Sequence, residues 1–421
     1  MSKAKNLNLL LLIGFFVIFL ILRSVYYTEH LNFSADQGVD AQKVLSLYRE
    51  HKIPLIGPFT SLQYNGRLLF QGPAYYYLLF VFLYIGKFDP IISSYLFTIF
   101  CGLMIFPLFY GLKMLTNKKV AYLMVITYAF FPYYVEYTRF HWNTTYLLSL
   151  LPLLVLFMGL YKKYKSKWLF LLISSMLGFL LQFHYQFILI IFGFFIYYFY
   201  FVRVKLYYVF LFILGLLIGF SPLILFEFRN QFYNIQTIIL YINHRNQLQS
   251  GGNLFTTPHY YLSISFMGLI IFYSLIAKYL PSGKNFKILL TVLALIFISA
   301  SALINFHKPE HSFWSYSTHW NYPDEYKVYT IIKSQHLKNY NVANMTYYDV
   351  TSDVIKFLLK RDGVNINYTD YYHNKYLFII AAHYYNYMSD PAYEVNTFKP
   401  SKVLKVWKIN STYNLYLRER L

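Results

Sequence analysis

Up to residue 306 the chain alternates long apolar runs with short polar breaks, and beyond His307 the pattern turns to that of an ordinary soluble region. A helix rises about 1.5 Å per residue, so about 20 apolar residues cross the roughly 30 Å of bilayer hydrocarbon. Runs of that order lie at 7–23, 91–112, 119–135, 145–161, 168–183, 185–202, 206–226, 259–278 and 288–306, which predicts nine spans. The stretch PAYYYLLFVFLYIG at 73–86 would be only about 21 Å long as a helix. It predicts an interfacial or re-entrant segment. The opening MSKAKNLNLLLLIGFFVIFLILRS has the basic start of a signal peptide, but its apolar stretch is long and no small-residue cleavage site follows. It predicts an uncleaved first span.

After His307 the periodicity changes. DEYKVYTIIKSQHL and TSDVIKFLLKRDG predict helices, the second with Thr351 and Asp353 as capping candidates at its start and Gly363 at its end. NVANMTYYD, KYLFIIAA, KVLKVWKI and TYNLYLR predict strands. The expected fold is therefore an α-helical polytopic membrane protein. A transmembrane domain would occupy 1–306, with interfacial helices in a first outer loop (24–90), and a small extracytoplasmic α/β domain would occupy 307–421.

Composition supports the membrane reading. The 421 residues are 57% hydrophobic, 22% aromatic and only 13% charged, far from the balance of soluble domains. The 47 Tyr and 42 Phe exceed what a core needs and suit the headgroup level of a bilayer. A formal charge of +20 would point to nucleic acid in a soluble protein. Here the cations sit in short loops between apolar runs, where they orient the chain, so no nucleic-acid partner is expected. The single Cys101 lies in an apolar run and excludes a disulfide framework.

The same cations set the orientation. If 73–86 does not cross, Lys3 and Lys5, KMLTNKK, YKKYKSK, RVK and KYLPSGKNFK all face the cytoplasm, and none of these loops carries an acid. Glu29, Asp36, Asp40, Glu50, Asp89, Glu136 and Glu227 then fall on the opposite side. Counting 73–86 as a span would turn four of the five basic loops outward. The expectation is an integral plasma-membrane protein with a cytoplasmic N-terminus and an extracytoplasmic C-terminal region.

Two stretches concentrate polar chemistry on that outer side. In NFSADQGVDAQK, Asp36 and Asp40 are four residues apart and share a helix face. Either Asp36 caps the helix and Asp40 is solvated, or a carboxylate beside an apolar boundary serves as general base, because desolvation raises its pKa. In FPYYVEYTRFHWNTT, Arg139, His141 and Asn143 supply a cation, an imidazole and an amide within five residues. A guanidinium fork suits phosphate, whereas the alternative has Arg139 snorkelling and pairing with Glu136. His184 in LLQFHYQF, and Glu227 with Arg229 in SPLILFEFRNQF, are either interfacial punctuation or further lining of one outward cavity. No glycine-rich phosphate loop, CxxC, HExxH or GxSxG pattern occurs, so no cofactor is expected and no ligand spacing argues for a metal.

The order of ADQGVDAQK, PLIGPFTS, QGPAYYYLL, YTRFHWN, QFHY and SPLILFEFRNQF over roughly the first 230 residues resembles the C-type integral-membrane glycosyltransferases. It is similar to bacterial proteins related to the protein O-mannosyltransferases and the lipid A aminoarabinose transferases. The resemblance implies transfer of a sugar from a polyprenyl-phosphate donor to a lipid, glycan or protein acceptor. It implies Asp36 as the catalytic carboxylate and Arg139, with His141, at the donor phosphate. Gln37, Asp40, Gln71, Asn143, His184, Glu227 and Arg229 would support the cavity, and a divalent metal is optional. Relatives often have Asp-Glu where this chain has Asp36-Gln37, and Thr144 stands where Pro is frequent. The rival readings are a membrane ligase or polymerase using a diphosphate-linked oligosaccharide, a transporter of lipid-linked glycans, and a noncatalytic carbohydrate-binding membrane protein that acts through its C-terminal domain.

Overall fold

The computed structural model describes residues 2–243, 261–311, 319–346, 349–364, 366 and 370–421, without the side chains of 2–5, 61, 63 and 64. Its first helices are α1 (Ser2–Ser24), α2 (Tyr27–His30), α3 (Ala35–Arg49), α4 (Ala74–Ile85), α5 (Pro90–Leu103) and α6 (Ile105–Leu115). There follow α7 (Lys118–Phe130), α8 (Pro132–Glu136), α9 (Asn143–Tyr164), α10 (Lys167–Leu181), α11 (Ile188–Ile196), α12 (Tyr207–Arg229) and α13 (Tyr233–Asn243). The last are α14 (Leu262–Ile276), α15 (Gly283–Asn305), α16 (Tyr322–Ser334), α17 (Asp353–Arg361) and α18 (Tyr393–Asn396).

The structure is mostly helical, and among the described residues five stretches are long and apolar enough to cross a bilayer: Asn6–Ser24, Pro90–Leu115, Asn143–Tyr164, Tyr207–Arg229 and Gly283–Asn305. The other four expected runs also fold as helices, but shorter ones, and the causes are local. The run at 119–135 stops at Phe130 because Pro132 opens a new helix, α8. That at 168–183 ends at Leu181, before the polar Gln182 and a 3-10 turn at Tyr185–Phe187. The run at 185–202 continues as α11 and a π turn, Tyr197–Phe201. The start of 259–278 lies outside the described residues, as do 244–258 of the loop after α12. The segment at 73–86 is α4, about 18 Å long at 1.5 Å per residue.

One element of the first loop has no counterpart in the sequence expectations. Strands β1 (Phe59–Tyr64) and β2 (Arg67–Phe70) form an antiparallel hairpin. Asn65 and Gly66 make its turn, both with positive φ (46° and 77°), the backbone that a two-residue hairpin of right-handed twist requires. The Asn-Gly pair was the available signal.

The chain divides into two compact units, and the division differs from the sequence partition. One unit contains 1–23, 53–81 and 96–304; the other collects 24–52, 82–95 and 305–421. The first loop is thus split between them.

In the first unit, glycines bring helices together backbone to backbone. A Cβ on Gly219 of α12 would lie 1.9 Å from the Ser175 carbonyl oxygen of α10, and one on Gly178 would lie 2.4 Å from the Leu216 oxygen. Gly111 and Gly159 do the same for α6 and α9. Small residues of this kind allow the close approach on which helix association in lipid depends.

The second unit contains a mixed sheet of order β3-β4-β6-β5, from β3 (Tyr340–Asn344), β4 (Tyr376–Ala382), β5 (Ser401–Lys408) and β6 (Tyr413–Arg420). β3 and β4 are parallel, joined through α17, while β6 is antiparallel to both its neighbours. Each expected C-terminal helix and strand is present; Tyr347 and Tyr348 of the run NVANMTYYD lie outside the described residues. On one face Leu377, Ile379 and Ala381 of β4 pack with Tyr387, Val395 and Phe398. The edge strand β5 exposes Lys402, Lys405 and Lys408, charges that discourage pairing with another chain.

The start of α17 departs from the expected cap. Ser352 occupies the cap position in a left-handed conformation, and its side chain makes no cap bond. Asp349 supplies the acceptors, taking the Asp353 amide on Oδ1 at 2.7 Å and the Val354 amide on Oδ2 at 3.3 Å. Burial and the charge of Asp353 hold the Asp349 carboxyl well above its usual pKa range.

Candidate functional site

Asp36 belongs to α3, and the structure excludes the cap role for it. The helix starts at Ala35 with Ser34 at the cap. Gln37 is the capping partner, its Oε1 accepting from the Ser34 amide (3.1 Å) and hydroxyl (2.7 Å). Asp36 is left in the first turn, exposed, with no hydrogen bond or ion pair among the described residues. Partial desolvation by the surrounding protein nonetheless raises its pKa above the usual carboxylate range. A carboxylate that is reachable, unpaired and made more basic is what proton abstraction needs. Asp40, one turn on, is buried and not solvated, so the two acids do not present one acidic face.

Arg139 is wholly buried. Its Nη1 donates to Glu136 Oε1 at 3.0 Å and its Nη2 to the Leu22 carbonyl at 3.0 Å, clamping the end of α1 to α8. A second buried guanidinium, Arg23, lies beside the same segment. It donates through Nε to the Thr138 hydroxyl (2.7 Å) and through Nη1 to the Phe19 and Ala129 carbonyls (3.0 Å each), and it stacks on the Phe19 ring. Two guanidiniums around one carboxylate leave excess positive charge in a poorly solvated region. Sequence reading missed Arg23; the available signal was a cation ending an apolar run.

Removing one partner of a buried ion pair strands the other, at a cost of about 3–5 kcal/mol. Arg139→Ala is therefore expected to lower the thermal unfolding midpoint in detergent markedly, and Glu136→Gln added to it should recover much of the loss. An unshifted midpoint with weakened binding of lipid phosphate would instead assign Arg139 to the donor.

His141 is buried, its Nδ1 hydrogen-bonded to Tyr146 OH at 2.7 Å and its ring stacked on Tyr146. Asn143 donates from Nδ2 to Gln71 Oε1 at 2.8 Å, so the structure brings these two expected residues together. Gln182, which sequence reading passed over, fastens the strap formed by the β1–β2 hairpin and the residues after it: its carbonyl accepts from the Gly72 amide, its Oε1 from the Ala74 amide, and its Nε2 donates to the Gly219 carbonyl. His184 accepts from the Gln186 amide at 3.3 Å, and burial lowers its pKa to about 4, leaving it neutral at physiological pH. Glu227 does not pair with Arg229. Its two oxygens accept from the Asn234 and Ile235 amides (3.3 Å each) at the start of α13, while Arg229 is exposed. Asn234 in turn exchanges hydrogen bonds with the Phe70 backbone (3.0 and 3.2 Å), and Tyr185 OH donates to the Phe70 carbonyl.

Gln71, Asn143, Gln182, Tyr185 and Glu227 thus converge on the hairpin strap, whereas Arg139 with Glu136 and His141 with Tyr146 form separate buried contacts. Among the described residues no group of three or more His, Cys, Asp or Glu side chains is arranged to hold a metal.

No family profile, curated protein or solved structure matches this chain.

Proposed function

We propose that this membrane protein is a glycosyltransferase that moves a sugar from a polyprenyl-phosphate donor to an acceptor hydroxyl on the outer face of the membrane. The observation that carries the reading is Asp36, an exposed carboxylate that is unpaired among the described residues and whose pKa is raised by desolvation. Ionised Asp36 takes the proton from the acceptor hydroxyl as its oxygen attacks the anomeric carbon. The bond from that carbon to the phosphate oxygen breaks, the electron pair leaves with the lipid phosphate, and the configuration inverts. The leaving group is already anionic, so no acid has to protonate it.

The finer topology belongs to the same proposal: nine spans, a cytoplasmic N-terminus and an outer C-terminal region. It rests on the nine apolar runs and on the placement of lysines in short loops free of acids.

The test is reconstitution into liposomes with a polyprenyl-phosphate sugar and a soluble acceptor. Release of polyprenyl monophosphate in step with sugar transfer is expected. Release of a diphosphate lipid would favour the ligase, and lipid crossing the bilayer uncleaved would favour the transporter. Because the sole cysteine is buried, single cysteines at exposed Lys405 and Lys163 report sidedness. An impermeant maleimide is expected to label Lys405→Cys in intact cells and to spare Lys163→Cys.

A further inference from the structure

The helix that carries Asp36 does not stand alone. Within the second unit α3 packs along α17, and the fastenings recur at Gly38, Gln42, Ser46 and Arg49. A Cβ on Gly38 would lie 2.9 Å from both the Asp353 carbonyl carbon and the Val354 nitrogen, so only glycine admits the approach. Gln42 Nε2 donates to the Asp353 carbonyl at 2.8 Å and to its Oδ1 at 3.0 Å. Lys360 Nζ donates to the Ser46 hydroxyl, and Arg49 Nη2 donates to the Lys360 and Arg361 carbonyls at the end of α17.

At about 100° per residue these four positions form one stripe, and Asp36 lies roughly 125° from its centre. α17 therefore grips the back of α3 and leaves the carboxylate free. Asp353 is itself held, its amide by Asp349 and its Oδ2 by the Thr351 hydroxyl.

We infer that the Gln42–Asp353 contact, with the close approach at Gly38, is a positioning device that sets the direction of Asp36, making the C-terminal region part of the catalytic apparatus. This rests on the reading of Asp36 as the base. Misplacing a reacting group by about 1 Å can reduce rate by about 10²-fold.

The test compares Gln42→Ala and the similarly sized Gln42→Met in two backgrounds, using the reconstituted transfer assay. In the otherwise native protein kcat is expected to fall about 10-fold to 100-fold with donor KM unchanged. In the Asp36→Asn background the same changes are expected to have no further effect, because the group they position is gone. Equal losses in both backgrounds, or none in either, would overturn the inference and leave Asp36 as the base. Undiminished transfer by Asp36→Asn alone would remove the base itself, and the positioning role with it. Gly38→Val, which pushes the two helices apart, is expected to repeat the pattern with a larger loss.

Discussion

Asp36→Asn is expected to reduce transfer by about 10²–10⁴-fold, the usual contribution of a positioned base, while leaving the protein folded. The amide keeps the shape of the side chain but cannot accept the acceptor's proton. The pKa of Asp36 also fixes the sign of two further effects. Raised by desolvation, the carboxyl protonates at a higher pH than an ordinary aspartate, so wild-type kcat should fall on the acid side through that raised value. A group whose folded pKa lies above its unfolded one favours the fold below the unfolded pKa, and that contribution is lost as pH rises through the folded value. Ionised Asp36 is thus a small burden on the fold at neutral pH. Asp36→Asn should be at least as stable as the wild type in a detergent melt. A variant that loses transfer and stability together would point to a structural carboxylate.

Gly219→Leu is expected to cost stability heavily. Its Cβ would sit 1.9 Å from the Ser175 oxygen and 2.6 Å from the Phe179 nitrogen, both backbone atoms that no rotamer change can move. α12 has to shift away from α10, and overpacking of this kind typically costs about 1–3 kcal/mol, more when backbones collide. The shift would also pull the Gly219 carbonyl from Gln182, whose other bonds hold Gly72 and Ala74, so the strap should loosen with the helix. Gly193 is the control. Nothing lies within 4 Å of a Cβ there, and alanine favours a helix over glycine by about 1 kcal/mol. Gly193→Ala should melt at or above the wild-type temperature. Equal melting of Gly219→Leu and Gly193→Ala would show that the α10–α12 approach is not what holds the unit together.

What could be read from the sequence follows from the range of the forces involved. Apolar runs and alternating strands declare themselves locally, so the helices near the nine runs and the C-terminal helices and strands were legible. The Asn65-Gly66 turn was local too, and legible in principle. The environments of the acids were not. Asp40 is buried and Asp36 exposed although the two lie on one side of α3, a difference that tertiary packing sets and local sequence does not show, and the capping of α3 by Gln37 depends on a rotamer. Likewise the pairing of Arg139 with Glu136 is a local option, but its complete burial comes from α1, more than a hundred residues earlier. Glu227 read locally as interfacial punctuation or cavity lining; the folded chain commits its two oxygens to the amides at the start of α13, a contact its own neighbours in sequence do not announce.

The division into units has a consequence for biosynthesis. Gln42 and Asp353 are 311 residues apart. At about 5–20 residues per second of synthesis, α3 waits roughly 15–60 s for α17 to be made. Throughout that interval the ribosome is still feeding the helices that lie between them in sequence. The segment bearing Asp36 acquires its partner only after Arg361 has emerged, so a product terminated before α17 would carry the carboxylate without the helix it packs against.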